Sequence, residues 1–153
     1  MRLHGSKVRP LAFLAVLPAV AALVGTQLGC QKMMFWRDKP QEMHTTSDVS
    51  ASQGTVRVSE GNNGNTKVSV QVKHLAPPSK AAAGATVYVV WIQAMEGDRQ
   101  NVGALTLNKD LEGSLETLTP HRRFKVSVTP EPSGQVADPS HEPVFTYNVE
   151  SNK

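Results

Sequence analysis

The side chains that could do chemistry are few, and their spacing argues against most of it. Between residues 54 and 150 the histidines are His74, His121 and His141, each expected at a strand end or in a loop. Three neutral imidazoles would make a zinc site if the fold drew them together. Loop histidines are ordinarily just solvated, so no metal is expected there. Glu131, Asp138 and Glu142 share one Pro-rich stretch and could offer oxygen ligands to Ca²⁺, although solvated loop carboxylates are the simpler reading. Arg122 and Arg123, next to His121, could meet an anionic partner. On an outward edge the same charges discourage strand-to-strand aggregation. The chain has no Gly-x-Ser-x-Gly elbow, no Gly-rich phosphate loop and no His-Glu-x-x-His pair. Its single cysteine, Cys30, lies ahead of any folded setting that would activate a thiolate, and none sits among the late histidines as a cupredoxin requires. No catalytic residue and no cofactor is therefore expected. What remains is binding or sensing.

The elements that must position these groups read as strands. Apolar residues make up 39% of the 153 and charged residues 19%, and ten prolines and eleven glycines punctuate short apolar runs. That pattern favours an all-β chain. The most informative run is 85–93, where Tyr88, Val90 and Ile92 point to one face and Val87, Val89 and Trp91 to the other. A strand apolar on both faces must be covered on both, so it belongs in the middle of a sheet. Half-buried alternation marks 54–60 (Val56, Val58), 66–75 (Val68, Val70, Val72), 101–107 (Leu105, Leu107), 113–119 (Leu115, Leu118), 122–129 (Phe124, Val126, Val128) and 144–149 (Phe145, Tyr147, Val149). Asn63-Gly64 signals a hairpin, because both positions tolerate positive φ. Pro77-Pro78 stops a strand, and the Ala run in 79–84 is too short for a helix. Residues 130–143 read as one long polar loop.

Seven strands at this spacing predict an immunoglobulin-like β-sandwich over 54–150. Tyr88, Trp91 and Phe124 are the expected structural core, with Trp91 as the aromatic buried between the sheets. Burying that indole contributes about 2–3 kcal/mol from area alone. With one cysteine there is no internal disulfide, so burial must hold the domain together.

The N-terminal segment is an address. Arg2, Lys7 and Arg9 precede some fifteen uncharged residues at 11–25, the layout of a secretory signal. The segment ends in Gln27-Leu28-Gly29-Cys30 and resembles a bacterial lipoprotein signal, in which small residues precede a cysteine that is lipidated and becomes the new N-terminus. Gly29 and Cys30 match that pattern. Gln27 departs from it, since the family has Leu three places before the cysteine and here Leu28 lies one place late. The resemblance implies a signal peptide at 1–29, lipidation of Cys30 and durable membrane attachment through its acyl chains. Gln31, rather than Asp, leans towards the outer membrane where a cell has two. An uncleaved anchor over 11–28 and cleavage without lipidation stay open, and both also place the remainder outside the cytoplasm.

Three of the 16 Lys and Arg residues lie before Cys30, and the other 13 balance the 13 Asp and Glu residues. The mature chain thus lacks the basic excess that phosphate backbones require, and nucleic acid is not an expected partner. Residues 30–53 read as the lipidated N-terminus and a flexible linker. Its apolar knot, Met33-Met34-Phe35-Trp36, suits the membrane interface, with Trp36 at headgroup depth, or else packs onto the domain. Met33, Met34, Met43 and His44 have donors soft enough for copper. Methionines beside a membrane are more often simply apolar. An envelope metal- or small-ligand-binding protein using loop His, Met or carboxylate groups is the alternative function.

A further resemblance rests on the order of several short pieces. Tyr88-Val-Val-Trp91, Val102-Gly103-Ala-Leu105, Gly113, Phe124-Lys-Val-Ser-Val128 and Thr129-Pro-Glu-Pro132 follow one another as in the exported C-terminal domain of anti-sigma-K factors. The resemblance covers about 85–149 and implies an exported domain that senses or binds an envelope partner. Only ten residues precede the apolar run, so no sigma-binding domain is expected ahead of it and sigma-factor inhibition does not carry over.

Overall fold

The computed structural model describes residues 39–46 and 51–150. The signal segment, Cys30 and the apolar knot at 33–36 lie outside them. Among the described residues nine strands follow in order: β1 (Gln41–Glu42), β2 (His44–Thr45), β3 (Gln53–Glu60), β4 (Thr66–Lys73), β5 (Val87–Ala94), β6 (Arg99–Leu105), β7 (Gly113–Thr119), β8 (Phe124–Glu131) and β9 (Phe145–Val149). They form two antiparallel sheets, ordered β1-β3-β4-β7 and β2-β9-β8-β5-β6. The seven long strands thus lie three against four in the Greek-key order of an immunoglobulin-like sandwich, as the spacing predicts.

The valine alternation sets the inner faces. Val56 and Val58 of β3 lie opposite Val70 and Val68 of β4, all buried. From the other sheet Tyr88, Val90 and Ile92 of β5 and Phe124, Val126 and Val128 of β8 meet them, so Tyr88 and Phe124 take their expected places in the core. The Tyr88 hydroxyl donates to the Ala76 carbonyl at 2.8 Å. Burial pushes its pKa up to about 12. The β3–β4 turn puts Asn63 at φ 57° and Gly64 at φ 76°, the left-handed pair foreseen there.

Four expectations need correction. Leu118 is not an inward anchor; it pairs with Lys67 on the outer face and is 52% exposed. Residues 78–81 do form one helical turn, α1 (Pro78–Ala81), since Pro at the first helical position needs no amide partner. The linker does not run to residue 53. β1 pairs with β3 and β2 with β9, so 41–45 crosses from one sheet to the other with Met43 buried between them at 6% exposure. The fourth concerns Trp91. It is fully buried, but it belongs to the face of β5 turned away from the inter-sheet core. What covers it is the return loop.

A β-bulge between Val90 and Trp91 prepares that outer face. Opposite it, β6 uses one extra residue, so Trp91 pairs with Asn101 while Val102 packs inward against the core. Gly103 completes the bulge at φ 141°, where a Cβ would also stand 2.8 Å from Leu115 Cδ1.

Candidate functional site: a roofed cleft on the outer sheet face

Strand alternation lays polar side chains across the outer face of the five-stranded sheet. Register aligns Arg99, Gln93 and Lys125 in one row of β6, β5 and β8, and Asn101, Trp91 and Ser127 in the next. Thr129 and Glu131 continue the β8 side of the same face, opposite Val89 and Val87. Residues 132–143 then fold back over this surface instead of extending into solvent.

Specific bonds hold the roof down. Asn101 Nδ2 donates to the carbonyls of Gly134 at 3.0 Å and Val136 at 2.9 Å. Thr86 Oγ1 donates to the Pro132 carbonyl at 2.8 Å. At the far end the Val144 amide bonds to the Val128 carbonyl at 2.8 Å, and the Thr46 hydroxyl donates to the Pro143 carbonyl. Gly134 lies so close that a Cβ there would stand 2.9 Å from the Ala104 Cβ.

Under the roof runs a buried polar chain. Trp91 Nε1 donates to Thr129 Oγ1 at 2.8 Å, and that hydroxyl donates on to Glu131 Oε1 at 2.6 Å. The carboxylate also accepts the Ser140 amide, 3.1 Å from both oxygens, and the Ser140 hydroxyl at Oε2. Glu131 was expected in a solvated loop; instead it ends β8 at 0% exposure. A buried carboxylate is tolerated when its lone pairs are filled. Burial by itself would raise its pKa. The Ser140 and Thr129 hydroxyls, the Ser140 amide and the nearby His141 outweigh that and hold it below the ordinary carboxylate value. Glu131 thus latches the loop to the sheet nine residues away.

Between roof and sheet an open cleft of about 520 Å³ remains. Its floor is Gln93, Arg99, Lys125, Ser127 and Thr129; its wall is Pro139, Ser140, His141, Glu142 and Pro143. This is the size of a small-molecule site, though more polar than most.

The other groups singled out by type are dispersed. Among the described residues no three His, Cys, Asp or Glu side chains gather as a metal site, so His74, His121 and His141 do not converge. Glu131 is buried while Asp138 and Glu142 are exposed, so the three do not act as one carboxylate set. Met43 is buried in the core and His44 is exposed on β2. Arg122 donates to the Gly64 carbonyl at 3.3 Å, and Arg123 lies 3.6 Å from the Glu150 carboxylate. Cys30, Met33 and Met34 fall outside the described residues.

Sequence reasoning missed Asn101 and Ser140, which clamp the roof. An amide opening an otherwise apolar strand was the available signal for Asn101; nothing local marks Ser140. Asn101→Ala is expected to cost about 1–2 kcal/mol, because two loop carbonyls lose their donor. Hydrogen exchange should show the Ser140 amide opening faster while core amides of β4 stay protected.

No protein-family description matches this chain, and no characterised protein or solved structure is detectably similar to it.

Proposed function

We propose that this is a lipid-anchored protein of the cell envelope whose β-sandwich binds or senses without catalysis, using the cleft on its outer face. The cleft is the observation that carries the reading. Its roof is bonded to the sheet at both ends and in the middle, so little ordering is left to be lost when a ligand arrives. On the cleft wall the Ser140 hydroxyl donates to the buried Glu131 carboxylate and lies 3.4 Å from His141 Nδ1, so it is engaged in the latch that fixes the loop. The resemblance to the exported domain of anti-sigma-K factors supports the same reading. Trp91 and Thr129-Pro-Glu131, two of the pieces that carry it, meet in one hydrogen-bonded unit beneath the cleft. Gly29-Cys30 supports attachment through lipid, Gln31 supports the outer membrane where there are two, and the anti-sigma-K resemblance supports an envelope protein as partner.

Two measurements test this. Metabolic labelling with a fatty-acid analogue is expected to mark the wild-type protein and leave Cys30→Ser unlabelled; label retained by the variant would exclude the lipid anchor. A photoreactive side chain at position 93, on the cleft floor, should cross-link an envelope component in intact cells. Adducts equally abundant from position 57, exposed on β3 of the other sheet, would reject the cleft as the binding surface.

A further inference from the structure

We infer that the cleft takes a small zwitterion, an amino acid or short peptide whose carboxylate meets Arg99 and Lys125 and whose ammonium meets Glu142. This rests on the reading of the cleft as a binding site and names its ligand class. Arg99 and Lys125 flank Gln93 in one row on the floor, about two strand spacings or ~10 Å apart. Among the described residues neither has a carboxylate within ion-pair distance, and Glu142 on the opposite wall has no cation within that distance. Charges of both signs therefore line one cleft from facing sides without neutralising each other.

A simple anion would satisfy the floor and leave Glu142 repelling it; a simple cation would do the reverse. A ligand with a carboxylate at one end and an ammonium at the other suits both. Ser127 adds a hydroxyl at the cleft floor; the residue is 7% exposed, and among the described residues that hydroxyl has no hydrogen-bond partner. The volume of about 520 Å³ accommodates an amino acid or dipeptide with its water. The wall cannot collapse onto the floor to pair the charges, because the Ser140 bonds to Glu131 fix it in place beside Glu142.

The test is calorimetric titration of the full-length chain, purified in detergent, with Ala-Ala, N-acetyl-Ala-Ala and Ala-Ala amide. Ala-Ala is expected to bind in the millimolar range or tighter, and each capped form to bind about fivefold or more weakly, the worth of one solvent-facing ion pair. Lys125→Gln should shrink the gap between Ala-Ala and its amide; Glu142→Gln should shrink the gap between Ala-Ala and its acetylated form. Both side chains are exposed, so these changes leave the fold intact. Capped forms that bind as well as Ala-Ala, or inorganic phosphate that competes as effectively, would overturn the inference. If Ala-Ala fails to bind while position 93 still cross-links, the zwitterion is wrong and the binding role stands; if both fail, both are wrong.

Discussion

Trp91→Ala is expected to destabilise the protein by about 4 kcal/mol, the range for deleting a buried aromatic side chain. Against a total of roughly 5–15 kcal/mol for a domain of this size, that is a large share of its stability. The loss has two parts. The indole is fully buried between β5 and the returning loop, so its removal leaves a void beneath residues 132–143. It also removes the Nε1 donor from Thr129, one link of the chain that ends on Glu131. Trp91→Phe separates the two: most apolar contact survives, the donor does not, and about 1–2 kcal/mol should be lost. Because Trp91 faces the loop and not the facing sheet, the damage should be uneven. Ser140 amide protection should collapse in Trp91→Ala before the core amides of β4 and β8 respond. A denaturant melt superimposable on wild type would mean that the loop does not pack on the sheet as described.

The second large effect is at Glu131. Its carboxylate accepts from Thr129 and from both the amide and hydroxyl of Ser140, with no solvent contact. Glu131→Ala strips those donors of their acceptor and should cost about 3 kcal/mol. Glu131→Gln is nearly isosteric yet still unfavourable, by about 2 kcal/mol. Its amide group turns a donor towards partners that are themselves donors, and although the hydroxyls can rotate, the Ser140 amide cannot.

The same group makes stability depend on pH with a definite sign. Its pKa in the folded protein lies below the ordinary value near 4.5 that it regains on unfolding. The stabilisation is therefore fully present above that ordinary value and disappears as pH falls through the lower, folded one. Thermal melts should be insensitive to this group at neutral pH and lose stability below about pH 4.5. In Glu131→Gln that acid-dependent component should vanish. An unchanged acid slope in the variant would show that Glu131 does not latch the loop.

Much of this architecture is legible in one dimension because strand alternation is a local property. Val68, Val70 and Val72 declare their inner face from spacing alone, as do Phe124, Val126 and Val128, and Asn63-Gly64 declares its turn through a left-handed backbone few residues adopt. The order of seven such runs is enough for the sandwich. The balance of charge after Cys30 is likewise a property of the chain as written.

Tertiary structure decided what lies against each face. Alternation along β5 shows that both faces are apolar, but not that a sheet covers Tyr88 while a loop covers Trp91; that choice depends on residues some forty positions away. A two-residue strand has no period, so nothing in Gln41 to Thr45 foretells the strap that joins the two sheets. Glu131 reads as a surface carboxylate until Ser140 supplies its donors, since burying a charge is feasible only where distant partners compensate for the water it loses. The cleft itself exists only because those non-local bonds hold a loop above a row of side chains from three strands.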